Sequence, residues 1–320
     1  MKELFIRSLK IATACILSII TANFFNLQYS VTAGIITILS IGGTKKETLK
    51  TAAKRSIAFL CALIIAAVCF YLCGFNTFGF SIYIFVFALI CLKFHLKEAI
   101  AMDSVLITHF LTNGNMSVPL ISNEIFLFII GTGYGIIINL MLRKNSNEFI
   151  RLADEVDNEV KNILEHMSER ILTKDKSNYD GKCFEDLDEK LSIAKLCALN
   201  NYGNVLFHNS SYEIAYVEMR QKQRMVLENI YKSIIMITFL PEQANMVSNF
   251  INKVSLEYHR YNNVENLLIE LDNLLLILKN EQMPQSREEF EARAILFYML
   301  KQMQELLNLK HEFVLKYKNE

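Results

Sequence analysis

The first 144 residues contain twelve Lys and Arg, and all of them fall on one side of six apolar segments. The apolar runs cover 5–26, 29–43, 56–73, 78–92, 98–112 and 124–142. Lys2, Arg7 and Lys10 sit at the start of the chain. Lys45, Lys46, Lys50, Lys54 and Arg55 follow the second run, Lys93 and Lys97 the fourth, and Arg143 and Lys144 the sixth. The connections around 27–28, 74–77 and 113–123 carry neither Lys nor Arg. Basic short loops are retained in the cytoplasm, so this alternation orients a six-span chain with both termini inside. It also checks the number of spans, because a run that failed to cross would strand a basic loop outside. The expected fold is all-α: a six-helix integral membrane bundle over 1–144, then a cytoplasmic antiparallel helical bundle over 145–320. The expected location is the plasma (inner) membrane, crossed several times.

The neutral total hides two opposite halves. Residues 1–144 hold 12 basic and 5 acidic side chains, a net of +7, and the remainder holds 21 against 28, a net of −7. The basic collar suits anionic lipid headgroups, and no basic stripe suggests nucleic acid as a partner. Five of the seven Cys lie in apolar runs, where reduced thiols act as small fillers. Cys69 and Cys73 are one helical turn apart, but no His or carboxylate joins them, so packing is expected there rather than a metal. Lys2, Arg7 and Lys10 before an apolar stretch resemble a signal peptide, yet no convincing cleavage site follows; the stretch reads as the first span.

A helix crossing about 30 Å of hydrocarbon needs about 20 residues. Runs two and five are near 15 residues, about 22 Å of helix. Short spans are where transporters place their sites, although local bilayer thinning accommodates them equally well. Polar groups inside the runs are few. Asp103 lies in the fifth run, where a carboxylate must face protein or water or take a proton. A transport role and a structural partner on another helix are weighed evenly for it. His109 is six residues on, about 240° round the helix, so the two do not share a face. Packing is the favoured reading of His109, with a proton relay second. In the sixth run Gly131 and Gly135 share a face that lets another backbone approach, within the bundle or between subunits, and Asn139 follows them. Gly42-Gly43-Thr44 reads as a helix exit rather than a phosphate loop. Trp is absent, so Phe24, Phe25, Tyr29, Tyr71, Phe75, Phe78 and Phe80 must supply the interfacial aromatic belt.

From Asn145 onward the hydrophobicity becomes helical. Phe149, Leu152, Val156, Val160, Ile163, Met167 and Ile171 recur at steps of three and four. Further helices are expected over 183–200, 211–240, 242–260, 262–280 and 287–316, with a turn over 173–181. Ser210 with Glu213 and Ser286 with Glu289 have capping-box spacing. His166, His208, His259 and His311 show no ligand-like or catalytic spacing, so neither an enzyme nor a bound cofactor or metal is expected.

Tyr29-Ser30-Val31-Thr32-Ala33-Gly34 through Ser40, and Thr44 to Arg55, resemble the second span and basic loop of the bacterial aromatic acid exporter family, relatives of fusaric acid resistance proteins. Gly131 to Asn139 with Leu140-Met141-Leu142 resembles that family's last span. Ala58-Phe59 stands where the family commonly has Gly-Thr. At the level of fold the chain also resembles plant malate channels. The resemblance implies efflux of aromatic carboxylates or related organic anions, driven by the proton gradient. Since larger relatives carry two membrane units, it also implies a homodimer or higher homo-oligomer. Asp103 would carry the proton, while Lys10, Arg55, Lys93 and Lys97 would gather anions at a cytoplasmic mouth, although topology alone explains those charges. Two rivals stand beside the exporter: a passive organic-anion channel of the same fold, and a membrane-anchored scaffold or sensor.

Overall fold

In a computed structural model of the chain, twelve α-helices and no strand occur among the described residues, so the fold class is all-α. The structure describes residues 1–142, 144–173, 182–206, 211–259 and 262–317, without the side chains of residues 2–4 and 7. Arg143, His208, Ser210, most of the expected 173–181 turn, and the side chains of Lys2 and Arg7 lie outside the described residues. Two compact units emerge: Met1–Lys144 with Gly203–His208, and Asn145–Tyr202 with Asn209–Glu320.

The N-terminal unit comprises α1 (Lys2–Phe24), α2 (Val31–Ser40), α3 (Lys45–Cys73), α4 (Thr77–Lys93), α5 (Ile100–Asn113) and α6 (Val118–Leu140), with a 3₁₀ turn at Lys97–Ala99 leading into α5. Helices α1, α2 and α6 pack as one group and α3, α4 and α5 as another, joined by α3 against α6 and α2 against α5. The stacked rings of Phe59 and Phe128, 4.7 Å apart, lie at that junction. Helix α3 buries Ala58, Ala62 and Ala66 and exposes Ile57, Leu60, Ile64 and Val68. Small residues inside and large apolar ones outside are the pattern of a helix whose outer solvent is lipid. Helices α3 and α6 are long and apolar enough to cross a membrane.

Helix α2 has 10 residues, about 15 Å, and is shorter than its apolar run. At its start Tyr29 takes a left-handed φ of +58°. At its end Ile41 is extended before Gly42 and Gly43. Gly42 and Gly43 are a helix exit: Thr44 caps α3 by accepting from the Glu47 amide, and the Gly43 N–H donates to Glu47 Oε2 at 2.9 Å. Gly131 and Gly135 of α6 pack against α2. A Cβ on Gly131 would lie 2.6 Å from Ile36 Cβ, and one on Gly135 2.6 Å from Ser40 Cβ. These glycines therefore serve packing inside the unit. Asn139 fastens the same contact by donating to the Gly42 carbonyl at 3.0 Å and to Thr48 Oγ1.

The second unit holds α7 (Ser146–Leu172), α8 (Lys182–Gly203), α9 (Tyr212–Ile235), α10 (Gln243–Glu257), α11 (Glu265–Lys279) and α12 (Arg287–Lys316) around one continuous apolar core. The α7 stripe from Phe149 to Ile171 is buried throughout. Helix α9 stops at Ile235, five residues short of its sequence-based end, while Pro241 disfavours helix at Leu240 alone. Ser286 caps α12 by accepting from the Glu289 amide, while Glu289 accepts from the Gln285 N–H. The Ser286 half of the expected capping box is therefore present, while Glu289 reaches the N–H of the residue before the cap.

Candidate functional site

Two buried polar centres lie inside the N-terminal unit, both reached from α5. The first surrounds Asp103, in the first turn of α5, where the helix N-terminus favours a negative charge. Asp103 is fully buried, and neither carboxylate oxygen finds a hydrogen-bond partner among the described residues. Arg55 of α3 lies within electrostatic reach of Asp103 and of Glu98. Its Nη1 donates to the Leu39 carbonyl at 2.5 Å, and its Nε has no partner among the described residues. Ser104 and Tyr83 add two more buried hydroxyls that lie near each other, and Tyr83 is within electrostatic reach of Asp103. Buried polar atoms are nearly always hydrogen-bonded, so an acid and a guanidinium nitrogen left without partners among the described residues mark a place built for water, protons or a ligand.

The second centre surrounds His109, on a different side of α5. Its Nδ1 lies 2.7 Å from Oε2 of Glu124 on α6, and Glu124 is fully buried. The other oxygen, Oε1, accepts from Asn123 Nδ2 at 3.0 Å. Asn123 also clasps the backbone of Gln28, accepting from its N–H at 2.8 Å and donating to its carbonyl at 3.1 Å. The Tyr29 ring stacks on the imidazole at 4.0 Å and 8°. Left-handed φ costs a non-glycine residue about 1–2 kcal/mol, and at Tyr29 that conformation delivers the ring to His109. His109 is thus satisfied, as a packing residue would be, but its partner is an acid that the sequence did not single out. Glu124 sits at the edge of its apolar run, where a charge looks like a helix flank. The signal that could have found it is position: 109 and 124 lie near the same level on either side of the Gly114–Ser117 turn.

The basic residues separate. Arg55 is buried inside the α3 face rather than standing at an open mouth. Lys10, Lys93 and Lys97 are exposed. Lys10 and Lys45 share a cavity of about 660 Å³ with Leu140, Met141 and Leu142. No cluster of His, Cys, Asp and Glu able to hold a metal occurs among the described residues.

The second unit treats buried charge differently. Arg220, fully buried on α9, donates to Asp157 Oδ1 at 2.6 Å and to Gln223 Oε1 at 2.7 Å, and stacks on Tyr258. Lys310 is buried beside it, donating to the His259 carbonyl at 2.5 Å over the Tyr258 ring. Burial, then the Arg220 charge, pushes its amine down to about 6.

Family models match the two parts of the chain in turn. "Aromatic acid exporter family member 1" matches residues 2–142, and "Putative aromatic acid exporter C-terminal domain" matches residues 146–311. The chain belongs to the aromatic acid exporter family, and so to a family of membrane exporters. It is similar to the "Uncharacterized protein YqjA" of Bacillus subtilis (strain 168), with 27% identity over 307 residues, spanning 96% of this chain and 95% of YqjA. Among solved structures it is similar to a "putative membrane protein from Clostridium difficile 630". That match has 25% identity and a TM-score of 0.49, covering 53% of this chain and 99% of the other.

Proposed function

We infer that this chain exports aromatic carboxylates or related organic anions from the cytoplasm in exchange for protons. It does so as a multi-pass protein with both termini cytoplasmic, assembled as a homodimer or higher homo-oligomer. An exporter role in general follows from the family; substrate class, coupling and topology are our reading. The one-sided Lys and Arg support the orientation. Under that orientation Asp103 and Arg55 lie toward the cytoplasmic end, and His109 and Glu124 toward the outer end.

The observation that carries proton coupling is Asp103: a fully buried acid with no hydrogen bonds among the described residues and the buried cation Arg55 within electrostatic reach. An ionised Asp103 attracts Arg55 across the α3–α5 contact, and a protonated one does not. Protonation therefore gives these two helices two electrostatic states, as alternating access requires. In one half of the cycle the anion leaves with Asp103 ionised. In the other, a proton on an Asp103 oxygen returns with the empty site and is released to the cytoplasm. The exposed Lys10, Lys93 and Lys97 raise the local anion concentration at the cytoplasmic face.

The test is flux of labelled hydroxybenzoate-type acids in proteoliposomes, with and without an imposed pH gradient. Gradient-driven flux that D103N abolishes, at unchanged protein level and oligomeric state, supports the exchanger. Flux with no need of a gradient favours the anion channel instead. No flux across a panel of acids returns the chain to a scaffold or sensor.

A further inference from the structure

Glu124 is a second fully buried acid in the N-terminal unit, and the cycle above makes no use of it. Its two oxygens are held by His109 and Asn123. The far nitrogen of the imidazole, Nε2, has Thr32 Oγ1 at 3.4 Å as its hydrogen-bond partner among the described residues. Tyr29 covers the ring, is itself solvent-exposed, and its hydroxyl accepts from Asn113 Nδ2 at 3.0 Å. One aromatic ring therefore separates the pair from the surface. Asn123 ties α6 to the backbone just before Tyr29, so that cover is anchored to the acid it protects.

We propose that His109 and Glu124, roofed by Tyr29, form a proton-exchange site at the outer end of the membrane unit, separate from Asp103. Its use in transport rests on the proton-coupled reading above; its chemistry does not. A proton arriving from outside adds to His109 Nε2. The imidazole, already protonated on the Nδ1 that faces Glu124 Oε2, becomes an imidazolium paired with the Glu124 carboxylate, and the pair has taken up one proton. The titratable groups facing His109 are Glu124 from α6 and Tyr29 from the α1–α2 connection. Thr32 of α2 and Asn113 of α5 are uncharged. Arg55 of α3 and Tyr83 of α4 are grouped instead with Asp103, which is six residues back along α5.

The chain contains no Trp, so Y29W places a single indole where the Tyr29 ring meets His109. Indole fluorescence is quenched more strongly by imidazolium than by imidazole. Purified Y29W in lipid nanodiscs should therefore show one fluorescence step across a pH titration. The step should vanish in Y29W/H109Q. In Y29W/E124Q its midpoint should move, because the nearest charge is gone. Y29W/E124D, which keeps the acid at shorter reach, gives the same comparison if the Gln variant does not fold. A flat curve overturns the site, as does a step that survives H109Q or a midpoint indifferent to position 124. Flux then separates the two ideas. E124Q should lose gradient-driven transport and keep substrate exchange at equal pH, whereas a wild-type chain without gradient-driven flux overturns the exchanger and leaves the fluorescence step to judge the site.

Discussion

Asp103 and Asp157 are both buried aspartates on helices, and they live in opposite circumstances. In the second unit Asp157 is fully committed: Arg220 donates to it, Tyr216 donates to it, and Gln223 steadies the guanidinium while its own amide reaches the Leu306 carbonyl at 2.7 Å. In the N-terminal unit Asp103 has no hydrogen bond among the described residues, and Arg55 near it leaves its Nε unpaired there. A buried charge with all its partners fixes one arrangement, because any movement breaks several bonds at once. A buried acid without them is held by Coulomb attraction alone, which one proton cancels. The first builds a core and the second builds a switch.

The largest expected effect that would break this contrast is on transport. D103N should remove gradient-driven flux entirely yet leave the melting temperature unchanged or higher, since no hydrogen bond is lost. D157A should do the reverse to the second unit. Stranding Arg220 in the core should cost about 3–5 kcal/mol, read as a lower denaturation midpoint, and D157L/R220M should recover much of it. Next comes G131L, which drives a side chain into Ile36 and the Ala33 carbonyl and should cost about 1–3 kcal/mol. G133L, where a Cβ meets open space, is its control in the same melt.

The smallest effect sharpens the comparison through Lys310. Its amine is pushed down to about 6 in the fold, against about 10.4 when unfolded. Between these values the unfolded chain binds more protons, so this residue makes stability rise with pH from about 6 to about 10; below 6 the cost of burying the charge is borne in full. K310M should raise stability most at low pH and flatten that slope in denaturant titrations at several pH values.

Much of this was legible from residue order. The helices of the second unit follow from three-and-four spacing, and the early end of α9 at Ile235 does not. Asp103 stood out because a charge inside an apolar run has no cheap explanation. Arg55 did not, because a cation near a basic loop already has a topological one, and only packing shows it turned inward. The His109–Glu124 pair was hidden for another reason. It joins residues 15 apart across a turn, and which helices face each other is decided by close approaches such as Gly131 on Ile36, not by periodicity. Gly131 and Gly135 were readable as a contact face, while the identity of the partner, α2, was not.

The measurement that bears most directly on the central contrast is hydroxybenzoate flux under an imposed pH gradient in proteoliposomes of wild type, D103N and D157L/R220M. Gradient-driven flux is expected in wild type and in the repacked D157L/R220M chain, and none in D103N. Equal flux in D103N and wild type would contradict the claim that the unpartnered aspartate is the proton switch.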